Sequence, residues 1–160
     1  MNLLHIDSSI RGEQSVSRIL SKAVVERPKG LEPSMEIIYR DLVTSPLPHL
    51  IGKHLARVPD VIDDVTLGER ALEEFINADV IVIGVPLYNL SVSSQLKAWI
   101  DQIVVPGRTF RYTSMVPKAW RMTSASFSLW PAVGIIDRET AWQSTNTPRL
   151  IFARYLRSLG

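Results

Sequence analysis

At 160 residues, with 46% apolar and 21% charged side chains, the chain has the length and balance of one soluble globular domain. Its formal net charge of +2, with acidic and basic residues interspersed, gives no electrostatic case for nucleic acid or a membrane surface as partner. The absence of cysteine excludes disulfides, zinc–thiolate centres and cysteine nucleophiles.

The opening residues, MNLLHIDSS, have no basic stretch ahead of a long apolar core, so no signal peptide is expected. No apolar run approaches the roughly 20 residues of a membrane helix, and a cytoplasmic location is the expectation. MNLLHID reads as a short buried strand ending at Asp7. From Ser15 the apolar residues fall at Val16, Ile19, Leu20, Ala23 and Val24, the stripe of an amphipathic helix. Pro28 and Gly30 are expected to stop it before RPKG. MEIIYRDL is a second strand, and TSPLPHLIGKHLARVPDVID is a proline-rich connection without steady period.

Leu67 to Asn77 reads as the next helix, with Leu72, Phe75 and Ile76 on its apolar side. Thr66 is the expected N-cap, with Glu69 three residues on as in a capping box. VIVIGV is a continuous β-branched run, the mark of a strand covered on both faces of a parallel sheet. SVSSQLKAWIDQIV is helical again, with Val92, Leu96, Trp99, Ile100 and Ile103 on one side and Ser91 as the expected N-cap. His5, His49 and His54 lack ligand spacing on one helix, so no metal site is expected. The alternation β-α-β-α-β-α predicts a doubly wound α/β fold with strand order 2-1-3, its ligand site at the carboxyl ends of the strands.

Two stretches fall at that edge. The first, SSIRGEQSVS, joins strand one to the first helix, with serines at 8, 9, 15 and 17 but a single glycine, Gly12. A helix start offers free N–H groups and a positive dipole end, and Ser9, Ser15 and Ser17 add hydroxyls; a phosphate monoester suits this chemistry. Neither GxxxxGK[ST] nor GxGxxG is present, so neither nucleotide hydrolysis nor a dinucleotide pyrophosphate is signalled. A terminal phosphate that is gripped and never transferred, such as that of flavin mononucleotide, fits better. The competing reading makes Ser15 a simple N-cap and the other serines solvated turn residues. The second stretch, PLYNL, follows strand three, and Leu87, Tyr88, Asn89 and Leu90 supply the apolar and polar groups that an isoalloxazine ring requires. Read alone, Tyr88 and Asn89 also fit a plain turn with a half-buried aromatic. GRTFRYT, residues 107 to 113, alternates polar and aromatic residues and reads as a short hairpin or lid, or else as a surface strand.

Taken together, SSIRGEQSVS, DLVTSPLPHLIGKHL and PLYNLSVSSQLKAWIDQIVVPGRTFRYT resemble the FMN-dependent NADH:quinone oxidoreductases and azoreductases, a flavodoxin-like family. The likeness covers residues 1–113. It implies non-covalent FMN in a homodimer, with Ser9 and the segment Ser15, Val16 and Ser17 at the phosphate and Leu87, Tyr88, Asn89 and Leu90 at the flavin. It also implies reduction of quinones and cleavage of aromatic azo bonds, with NADH as donor in a ping-pong cycle. No side chain is required as acid or base, because the cofactor carries the chemistry. The alternatives are a flavodoxin-like electron carrier, which the near-neutral charge disfavours, and an inactive remnant without cofactor.

Beyond Thr113 the pattern departs from that family, which continues with a turn, a fourth buried strand and a glycine-rich loop. Back-translated and read one base earlier, PKAWRMTSASFSLWPAVG permits KGLA-DDKRVFLAVASGG, the missing turn, strand and loop. Residues 114–160 are therefore read as an aberrant tail, frameshifted and truncated, rather than a second domain; a divergent C-terminus is the alternative. On this reading strand three loses its outer neighbour, and weak FMN binding or aggregation is expected.

Overall fold

The computed structural model describes residues 1–31, 33–112, 117–119 and 133–137. Strand β1 (Asn2–Asp7) lies at the centre of a sheet, with β2 (Glu36–Asp41) on one side and β3 (Val80–Gly84) on the other. Both pairings are parallel, and their registers carry Asp7 to the level of Asp41 and of Gly84. The three carboxyl ends therefore share one edge, as the 2-1-3 order expected from the sequence requires.

Burial follows the pleat of β1. Leu4 and Ile6 point to one face and Leu3 and His5 to the other. Helices α3 (Ile62–Asn77) and α4 (Ser94–Ile103) cover the first face, where Leu72, Phe75, Leu96, Trp99 and Ile103 join Leu4, Ile6, Ile81 and Ile83 in one core. Phe75 meets Trp99 edge to face, with ring centroids 5.9 Å apart and planes at 73°. Helix α1 (Val16–Leu31) covers the second face, and there the core is smaller: Leu3, Val25, Met35 and Val82. Arg40 and Glu74 join β2 to α3 through a two-pronged ion pair at 2.7 and 2.8 Å, both side chains largely buried.

Several local expectations need correction. Helix α1 runs through Pro28 to Leu31 instead of stopping before it. A proline near the end of a helix removes one N–H while the turns before it keep their bonds. Helix α3 begins five residues before Leu67, and Thr66 is not its N-cap; its hydroxyl bonds back to the Ile62 carbonyl at 2.8 Å. The cap of α4 is Ser93, not Ser91, its Oγ accepting from the Leu96 N–H at 3.2 Å. Ser91 and Val92 instead form a short strand β5, antiparallel to β4 (Leu87–Tyr88). The connection between β2 and α3 contains a further short helix, α2 (Gly52–Ala56).

Strand three does not end the sheet. Strand β8 (Val133–Asp137) pairs with it antiparallel, Val80 opposite Asp137 and Gly84 opposite Val133. An unpaired strand edge offers N–H and C=O groups that accept a neighbour in either direction, so the expected bare edge is filled. The added strand is not the parallel fourth strand of a doubly wound sheet. GRTFRYT supplies one strand of a hairpin: β6 (Phe110–Tyr112) pairs antiparallel with β7 (Pro117–Ala119), which lies beyond that stretch. Of the segment read as a displaced turn, strand and glycine loop, only its two ends are described, at β7 and in the first two residues of β8; the rest of the tail lies outside the described residues.

Replacing Phe75 by alanine is expected to lower stability by about 3–5 kcal/mol, since the cavity opens at the contact between both helices and the sheet. A urea unfolding midpoint indistinguishable from wild type would show that this core does not hold α3 and α4 to the sheet.

Candidate functional site

The β1–α1 loop is built around buried hydroxyls. Ser8 Oγ donates to the Gly84 carbonyl at 3.0 Å and ties the start of the loop to the end of β3. Ser9 is buried, and its Oγ accepts from the Arg11 N–H at 3.3 Å. A single turn of 3-10 helix over Gly12–Gln14 then leads into α1, with Gly12 at φ +53°. Ser15 is the residue before α1; its Oγ accepts from the Arg18 N–H at 3.4 Å and its carbonyl from the Ile19 N–H at 3.1 Å. Its capping role is therefore real. Ser17 is also buried, 2.9 Å from Ser15 Oγ, whereas Val16 stands 66% exposed. The first amides of α1 open at this point, where no intrahelical acceptor exists and the helix dipole is positive.

The second loop reaches the same place. Leu87–Tyr88 and Ser91–Val92 form a two-residue hairpin whose central residues, Asn89 and Leu90, sit at φ +50° and +66°. Positive φ at both positions matches the right-handed twist of the flanking strands. Asparagine tolerates it, but leucine does so at a cost, and Leu90 is fully exposed. Leu87 is half exposed. Tyr88 folds back, so that its hydroxyl lies 3.0 Å from Ser9 Oγ and accepts from the Ile10 N–H at 3.2 Å. The structure thus brings Ser9 and Tyr88 into contact and sets Ser15, Val16 and Ser17 at the adjoining helix start. The side chains of Leu87 and Leu90 stand in solvent beside them.

Beneath the loop lies a polar network that the sequence reading did not single out. Asp7 is buried; its Oδ1 accepts from Ser21 Oγ at 2.8 Å and its Oδ2 from the Tyr39 hydroxyl at 3.1 Å. His5 stacks obliquely on Tyr39 at 5.0 Å, its Nε2 3.6 Å from Asp7. Arg18 holds Asp41 with two bonds of 2.7 and 2.9 Å and the Ser9 carbonyl with two more of 2.8 and 3.1 Å. Burial and the nearby carboxylates of Asp7 and Asp41 push the Tyr39 phenol up to about 12. Burial alone would raise the Asp41 carboxyl, but the Arg18 bond, the Val43 N–H and the Arg18 charge together hold it below its ordinary value. The Asp41 bond raises the Arg18 guanidinium against the opposing effect of burial. One sequence signal for this network existed. Arg18 lies one turn into α1 and Asp41 at the last position of β2, which a 2-1-3 order makes neighbours.

A further restraint is Gly84. A Cβ there would lie 2.3 Å from Asp7 Oδ1, so β3 can approach the network only with glycine at this point. Away from the site, Thr109 Oγ1 donates to the Ile103 carbonyl and accepts from the Val105 N–H, both at 2.8 Å, which folds the turn between α4 and the hairpin. Arg108 bonds Glu69 and Glu73 on α3 and fixes the base of that hairpin. Among the described residues no helix is long and apolar enough to cross a membrane.

Comparison with known proteins agrees with this architecture. A family model described as flavodoxin-like fold matches residues 1–130. An FMN-dependent NADH:quinone oxidoreductase of Methylorubrum extorquens is 56% identical over 119 residues, covering 70% of this chain and 59% of that protein. One of the same name from Rhizobium meliloti (strain 1021) is 44% identical over 160 residues, covering 90% of this chain and 78% of that protein. The crystal structure of an azoreductase from Bacillus anthracis str. Sterne superposes with a TM-score of 0.66 at 26% identity, over 73% of this chain and 62% of that one. The chain thus spans about three fifths of the length of the first of these relatives.

Replacing Leu90 by glycine removes the cost of its positive φ and is expected to raise stability by about 0.5–1 kcal/mol. Thermal unfolding at unchanged or lower temperature would contradict the strain assigned to this turn. The lowered Asp41 carboxyl contributes stability that is complete above the ordinary carboxylate range and is lost as pH falls through the folded-state value. Asp41→Asn should therefore flatten the decline of stability below about pH 4. A variant whose acid limb runs parallel to wild type would contradict the pairing.

Proposed function

The chain belongs to the family with the flavodoxin-like fold, and from that premise we propose that it carries the FMN site of an NADH-dependent oxidoreductase. Its acceptors are quinones and aromatic azo compounds, the chemistry named for its relatives. The observation that carries this reading is the Tyr88 hydroxyl on Ser9 Oγ and the Ile10 N–H, which joins a phosphate-type loop to a ring-type loop.

The residues suit the cofactor on physical grounds. The phosphate would lie at the start of α1, against the amides of Val16 and Ser17 and the hydroxyls of Ser9, Ser15 and Ser17. The sixteen-residue helix behind it supplies a dipole. Leu87, Tyr88, Asn89 and Leu90 would take the ring, the two exposed leucines offering apolar surface and the hairpin backbone offering N–H and C=O groups. When bound, FMN would supply two-electron exchange between NADH and the acceptor. The chain's own part is to bind, orient and shield, and no side chain is assigned as acid or base.

Two further elements of the proposal are a homodimer and a cytoplasmic location. Exposed apolar side chains support the dimer: Leu50, Ile51 and Leu55 at α2, and Ile10, Val16, Ile19 and Leu20 around the start of α1.

The test is spectroscopic and kinetic. Because β8 fills the edge of β3 on which the expectation of weak FMN binding rested, purified protein mixed with FMN should retain the flavin absorbance bands after desalting and should oxidise NADH when a soluble quinone is added. Absence of retained flavin would favour a remnant without cofactor. Retained flavin that passes no electrons from NADH to quinone or azo dye would favour an electron carrier.

A further inference from the structure

An arginine one turn into the helix that receives a phosphate is the obvious candidate for the cation that binds it. The hydrogen bonds of Arg18 speak against this. Its Nε and Nη2 donate to the Ser9 carbonyl at 3.1 and 2.8 Å. Nη2 and Nη1 donate to Asp41 Oδ1 and Oδ2 at 2.7 and 2.9 Å, and Nη1 also donates to the Tyr39 hydroxyl at 3.2 Å. A guanidinium has five N–H donors, and these contacts use all of them. Its charge is matched by Asp41, and the side chains of the pair are only 13% and 15% exposed. No donor and little net charge remain for an anion.

The bonds to Ser9 have a geometric consequence. In a planar trans peptide the carbonyl of one residue and the N–H of the next point in opposite directions. Arg18 holds the Ser9 carbonyl inward, toward α1 and β2. The Ile10 N–H must then point outward, and there it meets the Tyr88 hydroxyl at 3.2 Å. We propose that Arg18 is a positioning residue of the anion loop, which fixes the Ser9–Ile10 peptide, and with it the Ser9 hydroxyl, beside the phosphate without ligating it, and that Asp41 holds Arg18 in that pose. This rests on the reading of the loop as the FMN phosphate site.

The two roles make opposite demands on Asp41. If Arg18 were a phosphate ligand, Asp41 would compete for it, and Asp41→Asn would free the guanidinium and tighten FMN. A lysine at position 18, a compact point charge, would keep much of the affinity. If Arg18 positions the loop, Asp41→Asn loosens the clamp and weakens FMN. Lysine, which lacks the planar fork, then fails about as badly as methionine.

The experiment measures FMN and riboflavin affinity by flavin fluorescence for wild type, Asp41→Asn, Arg18→Lys and Arg18→Met. The two ligands differ by the phosphate, so their ratio isolates the loop from the ring site. The expected result is a fall of about tenfold in the FMN-to-riboflavin ratio in all three variants, the loss of a charge-assisted hydrogen bond, with riboflavin affinity unchanged. Far-UV circular dichroism monitors folding, and if the Arg18 variants do not fold, Asp41→Asn decides by its sign alone. Tighter FMN binding in Asp41→Asn, or retention of the ratio in Arg18→Lys, overturns the positioning role and leaves the phosphate site standing. No preference for FMN over riboflavin in wild type overturns the phosphate reading and the positioning role with it.

Discussion

The Tyr88 hydroxyl joins parts of the chain that are 79 residues apart in sequence. Its bonds to Ser9 and to the Ile10 N–H close the edge of the sheet where the first and third strands end. The contact depends on the parallel pairing of β1 and β3, which brings Asp7 level with Gly84, so that the loops leaving the two strands start side by side. It depends also on Ser8, which binds the Gly84 carbonyl and keeps the two exits from separating. Without that register the serine loop and the tyrosine hairpin would be unrelated turns.

The floor of the site is polar for a reason that lies in the pleat of one strand. Alternate residues of β1 face opposite helices, and those facing α1 include His5 and Asp7 near its carboxyl end. A buried carboxylate must be hydrogen-bonded, and Ser21 and Tyr39 meet that requirement for Asp7. Arg18 and Asp41 extend the network to the loop itself. The fold thus spends few apolar contacts on this face, where the buried core among the described residues is four side chains, and relies on directional bonds that fix a backbone. A loop that must present amides to an anion benefits from being held in this way, because donors already aimed need no reordering on binding.

Much of this was legible in the sequence where periodicity is strong. VIVIGV could hardly be other than a covered parallel strand, and the serine turn and PLYNL were placed at one edge by strand order alone. The ends of elements were less legible, because caps are decided by competing hydroxyls. Thr66, Ser91 and Ser93 all have the right chemistry, and only tertiary packing selects Ser93 while turning Thr66 back along its own helix. Pro28 misled for a related reason: proline raises the cost of a helix, but packing of the apolar stripe decides whether the helix ends. The Arg18–Asp41 clamp was signalled only by strand order and not by spacing, since a residue on a helix and one on a strand have no common period. The strand at 133–137 was unreadable because its reversed direction follows from an available edge rather than from its own pattern.

The central claim, that the serine loop receives a phosphate while the tyrosine hairpin receives a ring, can be read directly from backbone amides. Isotope-labelled protein titrated with FMN and separately with riboflavin would report both loops in one amide spectrum. FMN should move the resonances of Val16 and Ser17 together with those of Tyr88, Asn89 and Leu90, whereas riboflavin should move only the second set. Equal shifts of the first set with both ligands, or none with either, would contradict the account.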